Sequence, residues 1–314
     1  MMGAAVLVPA ALLVDLLIGD PKRLPHPVML IGSCIGFLEA KWNKGRAKKA
    51  KGLLLVLLVL SVVWLITAGI VWAAALLHPA AGWTAAVLLT ASTVACRGMK
   101  EAAERTAVPL EEGRLEEART ALSHIVGRDT SRLDEAEVVR GAVETTAENT
   151  VDGVTAPLMF AAVGGAPAAM TYRALNTLDS MIGHPDERFN EFGWAAAKLD
   201  DAANWVPARL TFLLMLLPAA LHPGWSAARA WRVVRRDARK HPSPNSGWVE
   251  SAAAGMFGIQ LGGVNWYRGR QSVRPHQGTP LYPLRPAWIH AAVQCMYAVS
   301  MLTALLAFLK GWLL

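Results

Sequence analysis

The longest apolar run of this chain limits its fold most strongly, because Leu53 to Leu77 is a stretch of 25 residues without one ionisable side chain. At about 1.5 Å per helical residue, a run of this length can cross a hydrocarbon layer of about 30 Å. A second run, Trp288 to Leu309, is interrupted only by His290 and Gln294. Both runs predict helices that cross a membrane.

The overall composition supports this prediction. Of the 314 residues, 54% are hydrophobic and only 18% are charged, and the mean hydropathy is +0.32. These values exclude a soluble monomeric enzyme and an intrinsically disordered chain. The three cysteines, Cys34, Cys96 and Cys295, lie far apart, and two of them lie inside apolar segments. This spacing argues against a secreted disulfide scaffold and indicates reduced thiols.

The net charge of +7 is explained by membrane topology. Two groups of basic residues stand out, namely Lys41, Lys44, Arg46, Lys48, Lys49 and Lys51, and Arg229, Arg232, Arg235, Arg236, Arg239 and Lys240. Under the positive-inside rule, both groups mark cytoplasmic faces. Each group contains a single aromatic residue, Trp42 or Trp231, and no series of stacking residues, so the expected partner is a lipid bilayer and no nucleic acid.

The order of segments predicts an all-α, polytopic integral membrane protein that forms one membrane-embedded domain over residues 1–314, with roughly four to six crossings. The first 18 residues form a retained first helix. Leu53–Leu77 and Gly82–Cys96 form a helical hairpin, and Trp205–Leu221 is a further membrane segment. No strand alternation stands out, and the glycine-rich stretch Ala252–Val264 leads into a polar linker.

The apolar segment Val154–Tyr172 contains Pro157, Gly164, Gly165 and Pro167. Proline and glycine make a straight spanning helix unfavourable there, so we predict a broken or re-entrant helix.

Residues 97–153 differ in character, because charges are dense and apolar residues recur at helical spacing over Pro109–Val126 and Arg132–Asn149. This spacing predicts a cytoplasmic helical segment. Gly127 would end its first helix, and Ser131 with Asp134 resembles a capping box that starts the second.

Carboxylate and amide side chains flank the apolar segments, and one group shares a face of the helix before Val154. This face carries Glu137, Arg140, Glu144 and Glu148, at offsets of 3, 7 and 11, and Asn149 and Asp152 continue it toward the membrane. Such oxygen ligands suit a hard divalent cation. The alternative is a solvated helix face with an internal Glu–Arg pair.

A second polar group lies between two apolar segments. It comprises Asn176, Asp179, His184, Asp186, Arg188, Asn190, Lys198, Asp200, Asp201, Asn204 and Arg209. An arginine inside apolar sequence, such as Arg209, usually faces a cavity or a partner, and phosphate is one such partner. The alternative is a structural pair of Arg209 with Asp200 or Asp201.

A third polar group surrounds the end of the first helix and consists of Asp15, Asp20 and His26. Asp15 could instead serve helix packing, and His26, between two prolines, could be a turn residue. The chain lacks a glycine-rich loop ending in Gly-Lys-Ser or Gly-Lys-Thr, so any nucleotide would bind without a P-loop.

Short motifs occur in order over nearly the whole chain, from Asp15 to Gly269. They include Asp15-Leu-Leu-Ile-Gly-Asp-Pro, Leu24-Pro25-His26-Pro27, Gly127-Arg128-Asp129-Thr130, Glu148-Asn149-Thr150-Val151-Asp152-Gly153, Asn176-Thr-Leu-Asp-Ser-Met-Ile-Gly-His and Asp200-Asp201-Ala-Ala-Asn204. In combination they resemble the cobalamin biosynthesis family CbiB/CobD.

The resemblance implies a multi-pass enzyme of the cell membrane, adenosylcobinamide-phosphate synthase, with its active site on the cytoplasmic side. Such an enzyme joins the propionate carboxyl group of adenosylcobyric acid to the amine of (R)-1-aminopropan-2-ol O-phosphate, with ATP as substrate and Mg²⁺ as cofactor. We expect an acyl-phosphate intermediate. A homo-oligomer is also compatible with the sequence. We also expect residues 154–171 to be re-entrant, because residues 172–204 would then face cytoplasmic ATP.

Together with this chemistry, the motifs assign expected roles. Asp20 or His26 would be the general base, and Glu144 and Glu148 would be further catalytic carboxylates. Magnesium would be held by Glu148, Asn149, Asp152 and Asp179. Substrate and phosphate contacts would come from Arg128, Asp129, Asn176, Lys198, Asp200, Asp201, Asn204 and Arg209.

Two other functions fit parts of the sequence. The same superfamily includes a membrane protein associated with β-lactamase regulation, which would make this chain a sensor. A transporter with broken helices would share Pro157, Gly164, Pro167 and Arg209, but the chain shows no inverted repeat.

Overall fold

The computed structural model of the chain describes residues 2–19, 26–184 and 186–313. Its helices are α1 (Met2–Ile18), α2 (Pro27–Trp42), α3 (Lys48–Leu77), α4 (Pro79–Ala91), α5 (Cys96–Glu111), α6 (Leu115–Ser123), α7 (Glu135–Thr150), α8 (Ala156–Ile182), α9 (Trp194–Ala203), α10 (Trp205–Leu221), α11 (Ala227–Asp237), α12 (Ser246–Phe257) and α13 (Ala287–Leu313). A π-helical turn (Val151–Thr155), a 3₁₀ turn (Ala238–Lys240) and strands β1 (Gln260–Tyr267) and β2 (Arg270–Gly278) complete the fold.

The chain forms two compact units. The first unit comprises Met1–Ala95, Asp152–Asn204 and Thr303–Leu314, and the second comprises Cys96–Val151 and Trp205–Leu302. The single domain over residues 1–314 and the cytoplasmic location of residues 97–153 stay predictions.

Within the described residues, four helical stretches are long and apolar enough to cross a membrane, namely Lys48–Leu77, Pro79–Glu111, Glu135–Ile182 and Ala287–Gly311. A fifth is formed if the bent pair of α9 and α10 makes one span. In the most apolar part of α3 only 22% of the residues are buried inside the protein. Most of its side chains therefore lie on the outside of the protein, as expected of a helix in a lipid bilayer, and the set of apolar helices confirms the predicted all-α polytopic membrane protein.

The predicted helical hairpin is formed by α3 and α4. His78 separates the two helices, and its Nδ1 caps α4 by accepting the backbone N–H of Ala80 at 3.1 Å. Pro79 takes the first helical position, where a missing N–H costs nothing. Helix α4 ends at Ala91, because the chain turns before α5 begins at Cys96. The predicted continuous segment to Cys96 is therefore too long.

Helix α8 is broken where the sequence predicts it. Gly164 has φ −131° and ψ 17°, and Gly165 has φ 67° and ψ −162°. The backbone of Gly165 lies in a region that only glycine occupies readily. Pro167 follows at once and removes another backbone donor.

Helix α7 begins with a capping box, three residues later than predicted. Asp134 Oδ1 accepts the N–H of Glu137 at 2.7 Å, and Glu137 Oε2 accepts the N–H of Asp134 at 3.0 Å. The capping pair is thus Asp134 with Glu137, because Ser131 lies in the preceding turn.

The core of the first unit is formed where α2, α3, α8 and α9 meet. Its fully buried side chains include Ile35, Leu55, Leu178 and Phe192. Gly52 allows this packing, because a Cβ there would lie 1.8 Å from the carbonyl oxygen of Phe192. Close backbone approach at a small residue is typical of helices packed in membranes.

Strands β1 and β2 form an antiparallel hairpin where the sequence predicted a polar linker, so that prediction is wrong. Arg268 and Gly269 form its two-residue turn, with φ values of 51° and 74°, as in a tight hairpin loop. The register shifts between Leu261 and Gly263. This irregularity interrupts the period of two that reveals a strand.

Candidate active site

The second unit buries an ion pair between Arg128 and Glu144. Arg128 Nη2 lies 2.5 Å from Glu144 Oε2, and the two side chains are only 5% and 2% exposed. Glu144 Oε1 accepts the backbone N–H of Gly262 at 2.8 Å, and Arg128 Nη1 donates to Asn265 Oδ1 at 2.7 Å. Each charge thus has additional partners, as a pair buried this deeply requires.

Arg140, one turn earlier on α7, attaches the hairpin to this helix. Its buried guanidinium group donates to the carbonyl oxygen of Gly262 and, at 2.8 Å, to that of Val264. The interpretation of this face of α7 as solvated, with an internal Glu–Arg pair, is therefore wrong. Arg140 binds the backbone of β1, and Glu144 pairs with Arg128 from the preceding loop.

Helix α12 brings a further carboxyl group, Glu250, into the second unit. Glu250 is 1% exposed, and neither carboxyl oxygen has a hydrogen-bond partner. The Nε2 atom of His241, also buried, lies 3.5 Å from Glu250 Oε2. A carboxyl group left in this state is costly unless it is protonated or meets a ligand.

The electrostatic surroundings favour neutral forms of this acid and base. Burial first, and then the charges of Glu144 and Glu148, raise the pKa of Glu250 well above its ordinary value. Burial first, and then Arg274, lower the pKa of His241. Both shifts favour a carboxylic acid beside a neutral imidazole. A neutral imidazole can accept a proton.

Arg274 on β2 is the third buried or half-buried arginine of this region. Burial alone would lower its pKa, but Tyr267 and the nearby carboxylates, Glu250 first among them, raise it. Glu148 is half-buried as well, and its Oε1 accepts the hydroxyl of Ser246 at 2.9 Å. Glu148 and Arg274 thus form the least buried side of the group.

Several neighbouring buried polar atoms have no hydrogen-bond partner. They include Ser251 Oγ, which follows Glu250 directly, Asn265 Nδ2 and Gln277 Oε1. Buried donors and acceptors are nearly always satisfied in folded proteins, by water or a ligand where the chain offers no partner. We call this set the glutamate–arginine cluster, which comprises Arg128, Arg140, Glu144, Glu148, His241, Glu250, Asn265, Arg274 and Gln277.

The first unit holds a separate polar group. Tyr172 donates its hydroxyl to Asn204 Oδ1 at 2.8 Å, and Asn204 Nδ2 donates to Asp200 Oδ2 at 3.0 Å. Asp200 Oδ1 is buried and has no hydrogen-bond partner. Other carboxylates and an amide lie near Asp200 and Tyr172. We call this set the aspartate cluster, which comprises Asp152, Tyr172, Asn176, Asp179, Asp200, Asp201 and Asn204.

The donor set of the aspartate cluster suits magnesium better than a softer metal. Its side chains offer oxygen ligands, and the free Asp200 Oδ1 is available to a cation. Among the described residues, no three histidine, cysteine or acidic side chains converge as a metal site by themselves. Magnesium in ATP-dependent enzymes commonly uses one or two carboxylates and completes its shell with phosphate oxygens and water.

Comparison with known proteins identifies the chain's family. A family model described as CobD/Cbib protein matches residues 8–296. The chain belongs to the CobD/CbiB family. It is 50% identical to the cobalamin biosynthesis protein CobD of Geobacter metallireducens over 310 residues, 97% of this chain and 95% of that protein.

Two further relatives agree with this assignment. The cobalamin biosynthesis protein CobD of Halalkalibacterium halodurans is 50% identical over 269 residues, 86% of this chain and 84% of that protein. The cobalamin biosynthesis protein CbiB of Salmonella typhi is 42% identical over 298 residues, 93% of this chain and 92% of that protein. No solved structure matches the chain. Membership of the CobD/CbiB family confirms the resemblance and supports a role in cobalamin biosynthesis.

The structure divides the predicted site residues of this CobD/CbiB protein between the two clusters. Arg128, Glu144 and Glu148 belong to the glutamate–arginine cluster. Residues of the aspartate cluster are Asp152, Asn176, Asp179, Asp200, Asp201 and Asn204. Of the predicted magnesium ligands, Glu148 and Asn149 belong to the second unit and Asp152 and Asp179 to the first, and their binding of magnesium stays a prediction.

Three of the predicted site residues form hydrogen bonds with nearby backbone groups and so stabilise the local fold. Asn149 Nδ2 donates to the carbonyl oxygen of Thr145 at 2.9 Å. Asp129 accepts the backbone N–H groups of Arg268 and Gly269 at the hairpin turn, at 3.1 and 2.8 Å. His26 Nδ1 accepts the N–H of Val28 at 3.3 Å and so caps α2.

The remaining predicted residues lie elsewhere. Lys198 is exposed and lies 3.4 Å from Asp201. The guanidinium carbon of Arg209 lies 4.2 Å from the ring centre of Trp205 and 4.8 Å from that of Trp248. Asp20 lies outside the described residues.

Sequence reasoning missed His241, Glu250, Arg274 and Gln277 as members of a site. Glu250 lies in the first turns of α12, where an acidic residue can also serve to complement the helix dipole. A signal was present, since a lone carboxylate followed by Ser251 and an alanine-rich apolar run must be buried. Arg274 and Gln277 could not be placed without recognising the hairpin.

Proposed function

We propose that this protein is adenosylcobinamide-phosphate synthase of the cell membrane. It would join the propionate carboxyl group of adenosylcobyric acid to the amine of (R)-1-aminopropan-2-ol O-phosphate and convert ATP to ADP and phosphate. Membership of the CobD/CbiB family supports this reaction. The chemical argument rests on the buried glutamate–arginine cluster. In this cluster, Glu250 has no hydrogen bond and lies 3.5 Å from His241.

The reaction needs an activated carboxyl group, because a carboxylate has no adequate leaving group. The carboxylate oxygen would attack the γ-phosphorus of ATP, which forms the acyl phosphate and releases ADP. The amine nitrogen would then attack the acyl carbon, and inorganic phosphate would leave. The substrate ammonium group must lose two protons over the whole sequence, one before attack and one as the amide forms.

Residues of the second unit fit the proton transfers. The lowered pKa of His241 keeps its imidazole neutral, so Nε2 can accept the proton of the incoming ammonium group. Glu250 lies 3.5 Å from this nitrogen and would position the imidazole. His241, positioned by Glu250, thus replaces Asp20 and His26 as our candidate for the general base.

Arginines fit the phosphate chemistry. Arg274 is half-buried, and its Nη2 donates to the hydroxyl of Tyr267 at 3.2 Å. Its guanidinium group therefore remains available to phosphate oxygens. Arg128 is committed to Glu144 and Asn265, and we assign it the role of holding Glu144 rather than a direct phosphate contact.

Magnesium would neutralise phosphate charge when it is bound with ATP. Asp200, through its free Oδ1, with Asp152 and Asp179 nearby, would hold it. The active site would face the cytoplasm, where ATP is present.

The test is a mass-spectrometric assay of the purified protein in detergent with both substrates, ATP and Mg²⁺. We expect the amide product and ADP together, and neither when ATP or Mg²⁺ is omitted. His241→Gln should lower turnover roughly 10²- to 10⁴-fold, the usual contribution of a general base. His124→Gln, at an exposed histidine of the same unit, is the matched control and should keep full activity.

The alternative is a regulatory membrane protein of the same superfamily. Folded protein that makes neither amide nor ADP with all substrates present would contradict the ligase and favour this alternative. The names of the relatives above refer to cobalamin biosynthesis and give this alternative no support.

A further inference from the structure

Helix α11 carries a pocket that the proposed reaction does not use. The pocket has a volume of about 370 Å³. Its lining combines three arginines, a hydroxyl and an apolar wall, namely Arg229, Arg232, Arg236, Val233, Ala254, Gly255, Gly258, Thr279 and Leu281. All of these residues belong to the second unit.

The pocket has an uncompensated positive charge. Arg236 pairs with Asp237, its Nη2 lying 2.7 Å from Asp237 Oδ2. Within the described part of the chain, Arg229 and Arg232 form no ion pair with a carboxylate. Arg229 donates to the carbonyl oxygens of Gly255 and Met256 at 3.2 and 3.1 Å, which fixes its guanidinium group without neutralising it.

Arg232 is the most available of the three. It is exposed, and its hydrogen bond is a 3.3 Å contact from Nε to the carbonyl oxygen of Ala228 in the same helix. Its two terminal nitrogens are left to bind an external acceptor. Two unneutralised guanidinium groups and the Thr279 hydroxyl on one pocket suit the oxygens of a phosphate group.

The apolar face of α11 is already covered by protein. Ala230, Val233 and Val234 are buried. Gly255 on α12 allows the close contact, because a Cβ there would lie 2.8 Å from the Cα of Ala230. The helix and the 3₁₀ turn that follows it therefore present an outer surface dominated by cations, namely Arg232, Arg235, Arg236, Arg239 and Lys240.

Neighbouring elements place the pocket close to the ends of apolar helices. Helix α10 ends at Leu221, and α11 begins only six residues later at Ala227. Phe257, at the end of α12, contacts Trp225 with ring centres 5.3 Å apart and stacks on Trp288 at 5.5 Å. Trp288 is the second residue of the candidate span that starts at Ala287. Tryptophans at such positions mark the membrane–water interface.

We propose that this pocket binds the phosphate group of an anionic membrane lipid. The arginines would bind the phosphodiester, and the exposed side chain of Leu281 would contact the glycerol and upper acyl region. Lipid is favoured over a soluble phosphate compound because the pocket joins a cationic surface to an apolar wall at the level of the interface.

The test measures lipid binding to the purified, detergent-solubilised protein by native mass spectrometry, with phosphatidylglycerol, phosphatidylcholine and inorganic phosphate as probes. We expect phosphatidylglycerol to bind with one site of higher affinity, and we expect weaker binding of phosphatidylcholine. Arg232→Glu should weaken phosphatidylglycerol binding at that site by roughly tenfold or more, because a cation becomes an anion.

Arg235→Glu is the matched control, because Arg235 is an exposed arginine of the same helix that does not line the pocket. It changes the net charge equally and should leave the high-affinity site intact. Equal weakening by both variants would overturn the proposal and show a diffuse charge effect. Saturable binding of inorganic phosphate that excludes phosphatidylglycerol would also overturn it, because the pocket would then serve a soluble ligand.

Because Arg232 is exposed and its hydrogen bond, among the described residues, is to its own helix, its variant should keep the thermal stability of the wild type. Arg232→Gln provides a second, milder variant without charge reversal. Loss of lipid selectivity in both Arg232 variants, with wild-type stability, is the result that the proposal predicts.

Discussion

Glu144 and Glu250 are both almost fully buried in the second unit, yet their surroundings predict opposite responses to the same substitution. Glu144 pairs with Arg128 at 2.5 Å and accepts the N–H of Gly262 at 2.8 Å. Glu250 has no hydrogen bond, and its raised pKa favours the protonated acid. Glu144→Gln should therefore destabilise the protein strongly, and Glu250→Gln should not.

The size of the difference follows from these contacts. Removing one partner of a buried ion pair costs about 3–5 kcal/mol, because the remaining charge stays buried and unpaired. Glutamine can still accept the Gly262 N–H, so the loss at position 144 is chiefly that of the charge. At position 250 an amide replaces a neutral acid of nearly the same size, and the expected cost is below about 1 kcal/mol.

Thermal unfolding in one detergent, at pH 7 and constant salt, measures both effects. A loss of 3–5 kcal/mol should lower the melting temperature on the order of 10 °C, and the loss at Glu250 should lower it by less than about 3 °C. Turnover should fall more than stability does, because Glu250→Gln changes the group that would position the imidazole of His241. An equal fall in melting temperature for both variants would contradict the conclusion that Glu250 is a neutral acid in the folded protein.

Other consequences follow from the same contacts. Gly52→Ala should destabilise the protein by about 1–3 kcal/mol because its Cβ meets the Phe192 carbonyl, whereas Gly69→Ala, with open space in the same helix, should change the melting temperature little. Below pH 4.5, the pKa of Glu250 in the unfolded chain, the protonated side chain makes its full contribution to stability. This contribution is lost as the pH rises toward the higher pKa of Glu250 in the folded protein. Glu250→Gln should therefore make the melting temperature fall less steeply as the pH rises. Burial would raise the pKa of Asp237, but hydrogen bonds from Arg236, Lys240 and Gly278 lower it to about 2. The contribution of Asp237 to stability is therefore present above pH 3.8 and is lost as the pH falls toward 2. Asp237→Asn should lower the free energy of unfolding, measured with denaturant at pH 7, by about 2 kcal/mol. The variant should also lose less stability than the wild type when the pH is lowered from 3.8 to 2.

The membrane architecture could be predicted from sequence because helix length, apolar composition and proline–glycine breaks are local properties. Leu77 ends α3 and Gly164 and Gly165 break α8, as predicted. The hairpin of β1 and β2 could not be predicted, because its bulge hides the strand period and its stability depends on Arg140, more than 100 residues away in sequence.

The candidate site was predictable only in part, for a related reason. Helical spacing correctly placed Glu144 and Glu148 on one face of α7. It could not show that Glu144 turns toward Arg128, or that α12 brings Glu250 beside His241, because these contacts join distant segments. The family resemblance supplied the reaction, whereas the geometry supplied a different candidate base.

The measurement that tests the central claim most directly follows oxygen from the carboxyl group of adenosylcobyric acid. The substrate is prepared with ¹⁸O in that carboxyl group and converted in a single turnover with ATP, Mg²⁺ and the amine. Activation through an acyl phosphate predicts that one ¹⁸O atom appears in the inorganic phosphate for each amide formed. Amide formation with unlabelled phosphate would contradict the account.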